Sequence, residues 1–157
     1  MTARTVAARR TIVFVVLASH EYGTGHLRRC LALAHELAHH DVSFSLVDAV
    51  EPWAVEAIED EGYAVTRAHP ELVPDLVVFD QLDTTVAEVA GARAAGARVI
   101  CLEDLGEGSN FADWIVNELY DDRRPNALCG PAYAVLRPEF IGAPTHVVDE
   151  RKHPRVL

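Results

Sequence analysis

The sequence predicts an α/β protein built on a doubly wound parallel sheet. Apolar runs rich in Val, Ile and Leu alternate along the chain with segments of helical period, the pattern of parallel strands wrapped by helices. The runs are mostly continuous rather than alternating, as strands covered on both faces require. The first run then passes through a short loop containing Gly23 and Gly25 straight into an amphipathic segment, the kind of junction at which open α/β sheets bind their ligands.

Taken in order, strands are expected near 11–17, 42–47, 63–67, 75–80, 98–103 and 114–117, and helices near 26–39, 51–61 and 83–95. In the first helix Leu27, Cys30, Leu31, Ala34, Leu37 and Ala38 recur every three or four residues and form the core face, which leaves Arg29 and Glu36 toward solvent. Glu51-Pro52 and Asp83-Thr84 read as helix starts, by capping chemistry and by the tolerance of proline in a first turn. From Asn117 to Leu157 the periodicity fades and prolines accumulate, so mostly loops and short turns are expected there. The chain carries no repeat and no low-complexity tract.

With 157 residues, 50% hydrophobic and 24% charged, the chain has the size and composition of one globular domain. A formal charge of −10 argues against nucleic-acid or anionic-membrane partners, whose phosphates are bound by clustered Lys and Arg. Arg4, Arg9 and Arg10 ahead of an apolar run imitate a secretory leader. Cleavage near Ser19, however, would remove the strand that the glycine loop and helix need, so the run reads as a buried first strand. No stretch approaches the ~20 apolar residues of a membrane span. Cys30, Cys101 and Cys129 are odd in number and widely spaced, which reads as reduced, mostly packing thiols of a cytoplasmic protein.

The glycine loop places His26 in the first turn of a helix. Helix-start N–H groups and the positive end of the dipole suit an anionic ligand, while the same field disfavours imidazolium and keeps His26 neutral and competent as a base. A dinucleotide fingerprint fails because the position of its third glycine is Arg28, and a P-loop fails because Lys152 is the only lysine. No cofactor is therefore expected. A plain strand-to-helix turn with a solvent-facing histidine explains the same spacing. Farther along, His35-Glu36-Leu37-Ala38-His39 matches the H-E-x-x-H zinc pattern, with Glu56 and Glu59 as possible third ligands. The helical wheel sets the two histidines at the edge of the core stripe and Glu36 on the solvent side. A solvated flank is the preferred reading, and no metal is expected.

The stretch Gly23 to Leu37, GTGHLRRCLALAHEL, resembles the opening loop and helix of the nucleotide-sugar hydrolases of pseudaminic acid biosynthesis, UDP-2,4-diacetamido-2,4,6-trideoxy-β-L-altropyranose hydrolases with a two-domain glycosyltransferase-B fold. The segments Asp75–Asp80, Val99–Leu105 and Gly130–Phe140 are similar to family segments in order and approximate spacing. The last is the most specific, since Gly-Pro-x-Tyr-x-x-Leu-Arg-Pro-Glu-Phe serves no general structural need. The resemblance, covering Thr11 to Phe140, implies a Rossmann-like N-terminal domain over 11–150 after an extension at 1–10. Residues 151–157 would begin a linker to a C-terminal nucleotide-binding domain or separate subunit.

The resemblance also implies a UDP-sugar substrate and His26 as the base that activates water at the anomeric carbon, UDP being the leaving group. An alcohol in place of water would make the same site a glycosyltransferase, and a half without its partner would only bind sugar. Around His26, Asp80, Glu103 and Asp104 end predicted strands and either contact sugar hydroxyls or amides, or cap the next turn. Asn117 carries the same two readings. Gly23 and Gly25 belong to the substrate loop, Tyr22 can pack on a sugar face, and His20 and Glu21 read as exposed loop residues. Arg28 either reaches a pyrophosphate or lies on the helix flank, while Arg137 and Glu139 are expected to pair with each other.

Overall fold

The computed structural model describes residues 8–19, 23–47, 50–66 and 73–136. In chain order these form β1 (Thr11–Leu17), α1 (Gly25–Glu36), β2 (Asp41–Val47), α2 (Pro52–Asp60), β3 (Ala64–Val65), β4 (Leu76–Asp80), α3 (Val86–Ala94), β5 (Arg98–Leu102), β6 (Trp114–Asn117) and β7 (Ala127–Cys129), with short 3-10 turns at Glu107–Phe111 and Pro131–Tyr133. The seven strands lie in the order β3-β2-β1-β4-β5-β6-β7, and every pairing is parallel. The fold is a Rossmann-like doubly wound α/β sheet. Its strand order reverses between β1 and β4, the topological switch point beside which such sheets open a crevice.

Two apolar layers hold the helices to the sheet, and the two-residue period of the strands sorts side chains between them. Ile12, Phe14 and Val16 of β1, with Phe44 and Val78, face Leu27, Cys30 and Ala34 of α1 and Ala54 and Ile58 of α2. Phe14 and Phe44 are register partners whose rings stack with centroids 5.3 Å apart. Truncating either to alanine would cost about 3–5 kcal/mol. On the opposite face Val77, Phe79, Val99, Cys101 and Ile115 pack with Val89 of α3. The same period carries Asp80 onto the α1 face, two residues beyond Val78. Register pairs Asp80 with Val16 at the end of β1, beneath the first turn of α1.

Three boundaries differ from the sequence expectation. Helix α1 stops at Glu36 rather than near 39, because β2 begins at Asp41, whose N–H binds the Arg10 carbonyl at 2.8 Å, and residues 37–40 must make the turn. Helix α3 starts at Val86, not near 83: Thr85 caps it, accepting the Glu88 N–H at 3.3 Å while the Glu88 carboxylate accepts the Thr85 N–H at 2.7 Å. Strand β7 lies in the stretch expected to be loop, too short for any period to reveal it. The loop after β5 rests on the loop after β4 only because of glycine. A Cβ on Gly106 would fall 2.5 Å from the Thr84 backbone, and one on Gly108 would fall 2.3 Å from the Thr85 carbonyl oxygen. Among the described residues no helix is long and apolar enough to cross a membrane.

Candidate functional site

At the carboxyl ends of β1, β4, β5 and β6 the start of α1 faces a cleft of about 520 Å³. Its polar wall is made by Gly25, His26, Arg28, Glu103, Glu118 and Tyr120. Leu82, Leu105, Leu119 and Val135 supply an apolar rim, with Leu105 and Leu119 standing 75% and 79% exposed. Thr24 offers α1 no side-chain cap and the first turn itself holds no acid, which leaves helix-start N–H groups of the described residues without a side-chain acceptor from that turn.

Beneath the cleft floor lies Asp80, wholly shielded from solvent. His26 Nδ1 is 2.6 Å from Asp80 Oδ1. Arg29 grips both carboxylate oxygens, Nη2 donating to Oδ1 at 2.7 Å and Nε to Oδ2 at 2.8 Å. Cys30 Sγ donates to Oδ2 at 3.2 Å. Burial alone raises the Asp80 carboxyl, but the hydrogen bonds and charges of Arg29 and His26 outweigh it and hold the group below its ordinary range. Burial likewise opposes the Arg29 charge, yet Asp80 and Glu118 raise its pKa above the usual value. Burial and then the Asp80 charge push the Cys30 thiol well up, so it stays protonated and serves as a donor.

These states fix the histidine tautomer. An ionised carboxylate only accepts, so His26 Nδ1 carries the proton and donates it to Asp80. In the neutral ring the lone pair is then on Nε2, which no hydrogen bond from a described residue reaches. A carboxylate-oriented imidazole in a cleft wall has the arrangement of a general base whenever its ring is neutral.

The other expected site residues divide. Glu103 lines the cleft in the left-handed region at φ 51°, 7% exposed; one carboxylate oxygen accepts the Glu118 N–H, and Oε2 has no partner among the described residues. Asp104 does not line the cleft: it is buried beneath the next turn, accepting from the Thr84 N–H at 3.2 Å, the Thr84 hydroxyl and the Gly106 N–H at 2.7 Å. Asn117 is also buried, its amide donating to Asp122 at 2.9 Å. Gly23 closes the loop with φ 79° and an N–H bond to the Ser19 carbonyl at 2.8 Å. Arg28 is exposed on the cleft side. Tyr22, His20, Glu21, Arg137, Glu139 and the linker at 151–157 lie outside the described residues.

One expectation is corrected outright. Arg29, expected to face solvent, is a main partner of the buried carboxylate, with its side chain only 15% exposed. Side chains on a helix lean toward its N-terminus, so Arg29 reaches back over the first turn to the strand end. The spacing did contain the signal: His26, Arg29 and Cys30 stand at i, i+3 and i+4, one face of one turn. Glu118 went unnoticed as well; it meets Arg29 Nη1 at 3.4 Å and accepts the Val135 N–H at 3.1 Å.

The H-E-x-x-H segment builds no comparable site. Its second histidine lies beyond the end of α1, its ring tilted 41° against that of His40 with centroids 4.0 Å apart. His35 Nε2 instead meets Glu61 at 3.0 Å in an exposed pair. Among the described residues, no three His, Cys, Asp or Glu side chains gather so as to hold a metal ion.

No family model matches the chain. It is similar to the uncharacterised protein MJ1062 of Methanocaldococcus jannaschii, 25% identical over 164 aligned positions that cover 90% of this chain and 34% of that protein. The chain thus spans about a third of the length of the curated relative it matches.

Proposed function

We propose that the chain is the sugar-side domain of a nucleotide-sugar hydrolase, the N-terminal half of a glycosyltransferase-B fold acting in nonulosonic acid or surface polysaccharide biosynthesis. The observation that carries this reading is His26, its Nδ1 fixed 2.6 Å from a buried carboxylate and its ring in the wall of a cleft at the sheet's switch point. The resemblance of Gly23–Leu37 and of Asp75–Asp80 to the diacetamido-trideoxy sugar nucleotide hydrolases supplies the reaction. Both partners of the dyad lie within those segments.

In this reading a water oxygen attacks the anomeric carbon while His26 Nε2 takes its proton. The bond from that carbon to the diphosphate oxygen breaks, and its electron pair leaves with UDP. The leaving group is weakly basic and needs little help from an acid, so activation of water is the demanding step, worth about 10²–10⁴-fold. The uncapped start of α1 and Arg28 are placed to stabilise charge on the departing diphosphate. Most nucleotide contacts then fall to a second domain or subunit. The matched relative, of which the aligned segment is 34%, is long enough to hold one.

The exposed leucine rim favours one competing reading. Leu105 and Leu119 suit an apolar acceptor, whose hydroxyl would replace water in a glycosyltransferase using the same base. The deciding experiment follows UDP release from UDP-diacetamido-trideoxy sugars in 18O-water, with the chain alone and with its C-terminal partner domain supplied. Release without added alcohol, with 18O in the free sugar, is expected of a hydrolase. Release only when an alcohol is added would establish the transferase, and no release under either condition would remove both readings.

A further inference from the structure

Asp80 is a buried anion with two cations in reach, Arg29 and a protonated His26. A buried carboxylate requires a compensating positive charge. Which of the two supplies it decides whether the imidazole keeps a lone pair. We propose that Arg29 is a positioning residue that provides the whole countercharge, so that His26 donates to Asp80 as a neutral ring and is not drawn into an imidazolium–carboxylate pair. The importance of this for turnover rests on reading His26 as the base; the charge arrangement itself does not.

The geometry favours this division. Arg29 covers both oxygens of Asp80 with a two-pronged grip, whereas His26 reaches only Oδ1. The guanidinium is held in place from just beyond the end of β6 as well, because Nη1 lies 3.4 Å from Glu118 and Glu118 is itself fixed by the Val135 N–H. Arg29 Nη2 also stands 3.5 Å from His26 Nδ1. A second positive charge on the ring would therefore sit against an existing one. The positive end of the α1 dipole, whose first turn carries no acid of its own, acts in the same sense.

The remaining charged groups around the cleft do not reverse the balance. Arg28, on the same helix, adds positive charge, and Tyr120 adds none. Glu118 is engaged by Arg29, while Glu103, whose Oε1 accepts the Glu118 N–H and whose Oε2 has no partner among the described residues, acts in the opposite sense without a hydrogen bond to the ring. Lysine at position 29 would keep the charge but lose the planar fork that spans both oxygens.

The test needs no substrate. In the 15N-labelled chain, ring-nitrogen shifts of His26 are followed against pH in the wild type, R29M and R29K. In R29M the imidazole should take over as counterion, moving its charge transition upward by about one pH unit or more, while R29K stays within about half a unit of the wild type. An unchanged or lowered transition in R29M, or a shift as large in R29K, would overturn the proposal. If R29M does not fold, D80N carries the test, since Arg29, still engaged by Glu118, then faces the ring without the buried anion between them. Its transition should fall below the ~6.5 of a free imidazole, and a value at or above that would equally overturn the proposal. Absence of UDP release would leave these shifts untouched, so a failure of the hydrolase reading is separable from a failure of this one.

Discussion

Helix α1 carries histidines toward both ends, and their surroundings could hardly differ more. Near its start, His26 is 12% exposed and locked to a carboxylate that solvent does not reach. Toward its end, His35 shares a half-exposed pair with Glu61, and His39 has already left the helix. The late pair belongs to the more recognisable motif, yet it has no strand end beneath it. The early histidine lies over the point where β1 and β4 stop, and the period of β4 delivers Asp80 there. What sets the two ends apart is the sheet below them rather than the letters around them.

That contrast can be broken most visibly by kinetics. On the hydrolase reading, with a nucleotide-binding domain supplied, His26→Ala should lower the rate of UDP release by at least about a hundredfold, while His35→Ala and His39→Ala leave it nearly unchanged. His26→Ala should also lower stability by about 1–3 kcal/mol in urea unfolding, because Asp80 loses one charge-assisted hydrogen bond while Arg29 still holds both its oxygens. Equal losses from all three substitutions would erase the distinction between the two ends.

Stability should separate the ends next. Asp80→Asn strands a buried guanidinium and should cost about 3–5 kcal/mol in urea unfolding. The effect carries a pH signature. Because Asp80 is held below the ordinary aspartate value of 3.8, its contribution is complete above that value and is lost as pH falls through the lower folded-state value. Asp104 runs the other way: burial raises its carboxyl, so its ionisation removes stability as pH climbs from 3.8 through the raised value. Asp80→Asn should therefore make the acid-side loss below pH 3.8 shallower, the remainder coming from Asp75, Asp113 and Asp122, which are also held low, and leave the Asp104 contribution of opposite sign unchanged. Unfolding curves collected across that range check both signs.

The smallest effect belongs to the late pair. Glu61→Gln should change stability by no more than about 0.5 kcal/mol, since both partners are largely solvated. A loss above about 2 kcal/mol would mean that this end is built as tightly as the other.

Much of this was legible in the sequence because it depends on period. Continuous apolar strands, the amphipathic face of α1 through Leu27, Cys30 and Ala34, and the positions of His26 and Asp80 at element ends all follow from local pattern. Their meeting depends on strand order, which a single chain does not spell out. Arg29 escaped because a helical wheel records where a side chain leaves the backbone, not how far a long one reaches back. The early end of α1 escaped because the apolar period continues through Leu37 and Ala38, and only the register of β2 forces the turn. Asp104 had two readings of similar standing; three hydrogen bonds to the turn occupy it. Strand β7, three residues long, left no periodic signal at all.

The most direct measurement of the central claim, that His26 and Asp80 act as one base, is a double-substitution cycle on UDP release under single-turnover conditions. Groups that act as a unit do not add, since removing the second costs nothing once the first is gone. His26→Ala and His26→Ala/Asp80→Asn should release UDP at the same rate to within about twofold, with Asp80→Asn alone also slow. If the double variant is instead slower by the product of the two single losses, the carboxylate and the imidazole work independently and the dyad is not the base.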